Sequence, residues 1–259
     1  MGLMKLKYQL LLPQFKNYSF FLVVIFTFFS NILFAEDKFI VSVGLAKPPY
    51  VIQADDSGFE LDLIRNVLKK IRKTPTFVYT QFGHTSKLLD IKGIDAVITT
   101  NSRVFTDTAK LSDIYITYQN VAISLKKNNI KINTIKELEN FSIASFQKAD
   151  KVLGKAFTDA SNKSPLFLKI ADQSQQPQLL LKGRVDVLIM DINIFKYLIH
   201  ELNMDNNDIT RLFTFHPIFP ENHYRVAFKN KTNIPLFNEA LAKYKQTDEY
   251  LVLRKHYNL

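Results

Sequence analysis

Lys92-Gly93-Ile94-Asp95-Ala96-Val97-Ile98 is echoed about 90 residues later by Lys182-Gly183-Arg184-Val185-Asp186-Val187-Leu188-Ile189, with Leu-Leu a few residues before each. In both places the pattern predicts a short helix that stops at a glycine and hands over to a buried strand. Glycine takes the left-handed conformation that ends a helix, and the apolar run after it has the length of a strand. Two explanations stay open: any helix-to-strand junction looks like this, or the chain holds two similar lobes.

The residues on either side of the echo extend the same grammar. Phe39, Val41, Val43 and Leu45 alternate with Ile40, Ser42 and Gly44, which predicts a strand ended by Pro48 and Pro49. After the turn Asp55-Asp56-Ser57-Gly58, the stripe Leu63, Ile64, Val67, Leu68 and Ile71 predicts a helix. Glu60 and Asp62 at its start are explained by the positive end of the helix dipole. A strand over Thr76 to Thr80 follows, so the chain opens as strand, helix, strand, and a parallel α/β sheet is expected. Downstream, Thr134-Ile135-Lys136-Glu137 reads as a capping box. Strands are expected over Phe141 to Phe146, Leu166 to Ile170 and His223 to Phe228. Helices are expected over Ala149 to Phe157, Ile192 to Leu202, Pro235 to Lys245 and Asp248 to His256. Crossings between two lobes fall near Tyr118 to Ser124 and near His216 to Tyr224.

Composition narrows the chemistry. The 259 residues include no cysteine, which excludes a disulfide, a thiolate metal site and a cysteine nucleophile. The formal charge of +10 is spread through the chain rather than gathered into a run interleaved with aromatics, so no nucleic-acid partner is expected. The five histidines form no HExxH and no close pair at helical spacing, and neither a Gly-x-Ser-x-Gly elbow nor a phosphate-binding glycine loop is present. No metal, cofactor or catalytic residue is therefore expected. The first 35 residues contain Lys5, Lys7 and Lys16, no acid, and an apolar run from Phe20 to Phe34 before Ala35-Glu36-Asp37, the order of a secretory signal. Leu33 stands where a small residue is usual before the cut, so an uncleaved anchor is the alternative.

Taken in order, these motifs resemble the family 3 solute-binding proteins, the exported polar-amino-acid receptors of ABC importers. Gly44-Leu45-Ala46-Lys47-Pro48-Pro49-Tyr50 is similar to that family's opening strand and Pro-Pro-aromatic turn, and Gly58-Phe59-Glu60-Leu61-Asp62-Leu63 to its Gly-Phe-Asp-x-Asp-Leu helix start. Ile94-Asp95-Ala96-Val97, Leu111-Ser112-Asp113-Ile114-Tyr115 and Gly183-Arg184-Val185-Asp186-Val187 through Asp191 stand where the family has its buried strand, its Phe-Ser-x-Pro-Tyr segment and its second-lobe motif. The resemblance implies a two-lobed α/β fold with two crossing strands. It also implies a cleft that closes by hinge motion and a periplasmic monomer serving a membrane permease. On this reading residues 1–35 are the signal, 36–121 the first segment of lobe 1, 122–222 lobe 2 and 223–259 the return segment.

Open parallel sheets bind ligands beyond the carboxyl ends of their strands. In the echoed pair those ends carry Thr99 and Thr100 in one lobe and Met190 and Asp191 in the other, so a hydroxyl and a carboxylate are expected to face one another. The resemblance makes Asp191 the acceptor of a ligand's ammonium; by its position it is also an N-cap. Tyr50 either stacks on a ligand or lines the core, and the same choice holds for Phe82, since Lys47 stands where relatives place a stacking aromatic. The family's carboxylate-binding Arg is missing from Thr106-Asp107-Thr108-Ala109; Arg103 is either its substitute or a surface residue. Where relatives have a small Gly-Ser or Gly-Thr loop, this chain has Gln147-Lys148-Ala149-Asp150. There Asp150 is expected to cap the helix and repel an anion, with Lys148 offsetting it. An exported dehydratase of cyclic acids and a sensory module are the alternatives on the same fold.

Overall fold

The computed structural model describes residues 38–80 and 85–259. The expected signal segment, Phe82 and His84 lie outside the described residues.

The opening unit is β1 (Lys38–Val43), α1 (Phe59–Lys70) and β2 (Thr74–Tyr79), with β1 and β2 parallel in the register Val41 to Phe77. The first echo becomes β3 (Ala96–Thr100), parallel to β1 and buried along its whole length. The chain then forms β4 (Leu111–Tyr118) and, after the single residue Gln119, β5 (Asn120–Leu125). Next come β6 (Ile143–Phe146), α2 (Ala149–Val152), α3 (Lys155–Lys163) and β7 (Phe167–Ile170). The second echo becomes α4 (Gln176–Leu181) and β8 (Val187–Asp191), followed by α5 (Ile192–Glu201), α6 (Asn206–Leu212) and β9 (Phe213–His216). The return is β10 (Asn222–Phe228), α7 (Asn233–Tyr244) and α8 (Asp248–His256).

Two five-stranded sheets result, with strand orders β2-β1-β3-β10-β4 and β7-β6-β8-β5-β9. They share one plan. Three parallel strands are followed by one that runs opposite to them, β10 or β5, which enters from the other side of a crossing, and then by an edge strand, β4 or β9, that runs with the first three. The parallel pairing expected of the opening unit is present, and each sheet as a whole is mixed because the strand entering at each crossing runs opposite to its neighbours. The crossings are held together: the Gln119 side chain donates to the carbonyls of Asn120 and Phe219, both at 2.9 Å. One apolar cluster takes in both sheets, from Val41 and Ile98 to Leu188 and Phe195.

The echo has a physical cause. Asp95 Oδ2 accepts from the backbone of Ile40 at 2.8 Å, and Asp186 Oδ2 accepts from the backbone of Ser142 at 2.9 Å. In each sheet the aspartate ties the start of the central strand it precedes to the neighbouring parallel strand, at Ile40 within β1 and at Ser142 just before β6.

Two local expectations change. Thr134 forms no side-chain cap on the 3₁₀ turn Ile135–Asn140; Glu137 alone reaches back, to the backbone of Asn133. The helix expected over Ala149 to Phe157 breaks at Gly154, whose φ of 87° no continuing helix can contain, and restarts as α3.

Candidate functional site

The carboxyl ends of β1, β3, β6, β7 and β8 converge on one cleft with a cavity of about 90 Å³. From the first sheet's side it is lined by Gly44 to Lys47, Thr99, Tyr118 and Tyr224. Phe146 to Lys148, Gln173, Asp191 and Ile194 face them from the second, and Asn120 sits at the crossing.

The first wall is built from the turn after β1. The carbonyls of Pro49 and Tyr50 accept from the first amides of α1, those of Phe59 at 2.9 Å and Glu60 at 3.0 Å, so the turn caps the helix. Gly58 is required there: its φ is 119°, and a Cβ would run into the Tyr50 carbonyl. This close fit drives Glu60 into the protein, where it is fully buried. Its Oε1 accepts from the hydroxyls of Thr99 and Tyr115, while Oε2 accepts from Tyr118 at 2.7 Å and lies 3.3 Å from Lys47 Nζ. Lys47 Nζ also donates to Thr99 Oγ1 at 3.1 Å. Thr99 itself sits at φ 54°, an uncommon conformation for a β-branched residue, and its amide donates to the Tyr115 hydroxyl. Burial first, and the charge of Glu60 second, push the hydroxyls of Tyr115 and Tyr118 well up, so both stay donors.

The second wall centres on Asp191. Its Oδ1 accepts from the amides of Asn193 at 2.9 Å and Ile194 at 3.1 Å, capping α5, and from the Tyr50 hydroxyl at 3.2 Å. Among the described residues Oδ2 accepts only from the amide of Gln119, at 2.8 Å, which leaves acceptor capacity on that oxygen. Among the described residues no Lys or Arg pairs with this carboxylate. Burial pushes its pKa up to about 6, against the pull of the Ile194, Gln119 and Asn193 amides.

The expected site residues divide into three groups. Thr99, Lys148 and Asp191 line the cleft. Tyr50 lies just behind it, stacked on Tyr118 with ring centroids 4.0 Å apart, and its hydroxyl reaches Asp191. Thr100, Asp150 and Arg103 do not line it. Thr100 is buried with its hydroxyl unpartnered among the described residues, because the backbone turn at Thr99 puts Thr99 at the cleft instead. Asp150 makes no cap; burial of its carboxyl is outweighed by Lys169, 2.9 Å away, which holds its pKa below the usual value. Arg103 is exposed and donates from Nη1 to the Val152 carbonyl at 3.0 Å, joining the loop after β3 to the end of α2.

Sequence reasoning passed over Glu60 and Lys47 as site residues. A usable signal existed: a helix that follows a strand in an α/β unit starts at the strand's carboxyl end, so an acid in its first turn stands near the cleft. In the sequence alone the helix dipole accounts for Glu60, which hides this.

The family model for bacterial extracellular solute-binding proteins, family 3, matches residues 39–259. The chain belongs to that family. Among solved structures, this solute-binding protein is similar to an ancestral arginine-binding protein bound to arginine, at 19% identity and TM-score 0.66, over 85% of this chain and 97% of that one. It is similar to an ancestral amino-acid-binding protein described as a precursor of cyclohexadienyl dehydratase, at 18% identity and TM-score 0.65, over 85% and 95%. It is also similar to a histidine kinase sensor domain with similarity to periplasmic binding proteins, at 15% identity and TM-score 0.66, over 85% and 95%. At these identities the likeness speaks for the fold. A comparison with curated proteins finds no match. No helix among the described residues is long and apolar enough to cross a membrane.

Proposed function

We propose that the protein is an exported, periplasmic receptor that captures an amino acid or a related amine in this cleft and delivers it, unconverted, to an ABC importer. The observation that carries the reading is Asp191: a buried carboxylate at a strand end, open to the cleft through Oδ2 and without a cationic partner among the described residues. A ligand ammonium supplies the missing charge. Lys148, which lines the same cavity and makes no ion pair among the described residues, offers a cation for the other end of a zwitterion. The lobes we assign are 36–121 with 223–259, and 122–222, closing about the crossings at Gln119 and at residues 217–221 as a monomer. The family match, and neighbours that bind arginine or other amino acids, support this reading.

A thermal-shift screen of the chain from Glu36 onward against amino acids, their decarboxylated amines and small carboxylates tests it, because a ligand that binds only the folded state raises the midpoint by mass action. A rise with amino acids or amines that vanishes in Asp191→Asn is expected; a rise with carboxylates alone would reject it. The likeness to a sensor domain favours a second reading, in which the closed receptor signals to a membrane partner. Deleting the gene separates the two: loss of uptake of the bound solute marks transport, and intact uptake with a lost transcriptional response marks sensing.

A further inference from the structure

The first wall contains an anionic subsite that the protein fills with its own side chain. Glu60 is fully buried, yet three of its four partners, Lys47, Thr99 and Tyr118, line the cleft, so its carboxylate lies one side chain behind the cavity surface. Hydroxyls from Thr99, Tyr115 and Tyr118 satisfy both oxygens but bring no charge. The only cation on Glu60 among the described residues is the Lys47 ammonium, which arrives from the cleft side, from the turn after β1. Its side chain is only 12% exposed, so the pair is largely withdrawn from water. A buried carboxylate deprived of its counter-charge is costly, and a cation of the right length is the natural replacement.

We infer that Lys47 is a tethered occupant of a cation subsite formed by Glu60, Thr99 and Tyr118, and that it restricts this receptor to ligands without a cationic side chain. The inference rests on the proposed function for the identity of the ligand, but the subsite itself does not. With Lys47 in place, a lysine- or arginine-like side chain meets an ammonium already seated on Glu60. With Lys47 shortened, the same subsite accepts an external alkylammonium. The chemistry is exchange of one ion-pair partner for another, with no bond made or broken.

Chemical complementation tests this without knowledge of the natural ligand. Lys47→Ala removes the atoms of a propylammonium ion, so propylammonium chloride is the probe, with sodium chloride at equal ionic strength as control. The expected result is a rise in melting midpoint of about 2–4 °C for Lys47→Ala at millimolar propylammonium, with none for the parent and none for Lys47→Ala/Glu60→Gln. An absent rise, or an equal rise in the parent or the double variant, would overturn the subsite. Should Lys47→Ala not fold, Lys47→Met keeps the volume and drops the charge. It should melt below the parent and recover when Glu60→Gln is added; an unchanged midpoint would show that Glu60 does not depend on the ammonium and would overturn the inference. L-arginine and L-glutamine on the folded variants then read specificity. Arginine binding should be gained by Lys47→Ala, and its presence already in the parent would overturn the claim of exclusion. Loss of all amino-acid binding with propylammonium rescue intact would count against the proposed function and leave the subsite standing.

Discussion

At the ends of β3 and β8, equivalent strands of the two sheets, the same backbone device carries opposite chemistry. Asp95 and Asp186 do one job: each stitches the start of its strand to the parallel strand beside it. Five residues on, the halves part. The first ends in Thr99 and Thr100 beside a buried glutamate already neutralised by Lys47, and the second ends in an aspartate with four hydrogen-bond donors and no cation among the described residues. The difference teaches that the junction is structural and therefore constrained. The strand end beyond it faces the cavity and is free to diverge, so charge for a ligand is left on one wall only.

The largest effect expected of any change that erases this asymmetry is at Asp191. Asp191→Asn keeps a residue that caps as well as aspartate does, but removes the charge. Amino-acid or amine affinity at neutral pH should fall by about 2–5 kcal/mol while the ligand-free fold is kept and melts no lower than the parent, as isothermal titration and calorimetry would read separately. Unaltered affinity would make the two walls equivalent and leave Asp191 a cap.

Acid sharpens the same comparison. Asp191 has a folded pKa of about 6 against 3.8 as its reference, so between pH 4 and 6 the folded state holds the proton better than the unfolded one. This group's contribution to stability is therefore full below about pH 4 and is lost as the pH rises through 6, a change of roughly 3 kcal/mol. Binding of an ammonium should run the other way and weaken as the pH falls through 6. Urea melts of the ligand-free parent and Asp191→Asn across this window should differ in slope; identical profiles would place the carboxylate in a more solvated setting.

A substitution that disturbs the first wall alone comes next. Gly58→Ala should cost about 1–3 kcal/mol, since it combines an unfavourable φ with a clash against the Tyr50 carbonyl that caps α1. Chemical denaturation would measure it, and a neutral result would mean that the turn adjusts and Glu60 is not held by it. The smallest effect belongs to Arg103→Lys. An exposed side chain with one hydrogen bond to Val152 should change affinity by less than about 1 kcal/mol, equally for an amino acid and its decarboxylated amine. A loss confined to the amino acid would bring Arg103 to the ligand's carboxylate.

What could be read from the linear chain follows from local physics. Alternation marked β1, glycine-to-strand junctions marked β3 and β8, and apolar stripes marked α1 and α5, because each depends on neighbours within a few residues. The expectation that Asp191 stands at a strand end and at a helix start is of this kind, since both positions follow from where β8 stops. Local patterns were also misleading where a tertiary contact or a turn intervened. Glu137 without Thr134 leaves half a capping box, and Gly154 splits one helix into two.

The sequence by itself determined the opening strand-helix-strand unit, the echo and the strand ends that border a cleft, because periodicity and turn chemistry are written in consecutive residues; α6 and β9 were not legible in it. Only the tertiary structure decided which charges are already spent. Glu60 and Lys47 lie 13 positions apart and Tyr118 a further 58, and nothing local tells a solvated helix-start acid from one enclosed by three hydroxyls and an ammonium. Tyr50 meets Asp191 across 141 residues, and Thr99 replaces Thr100 at the cavity through a single backbone angle. Pairing and burial are properties of packed neighbours, and those neighbours are chosen when the two sheets come together.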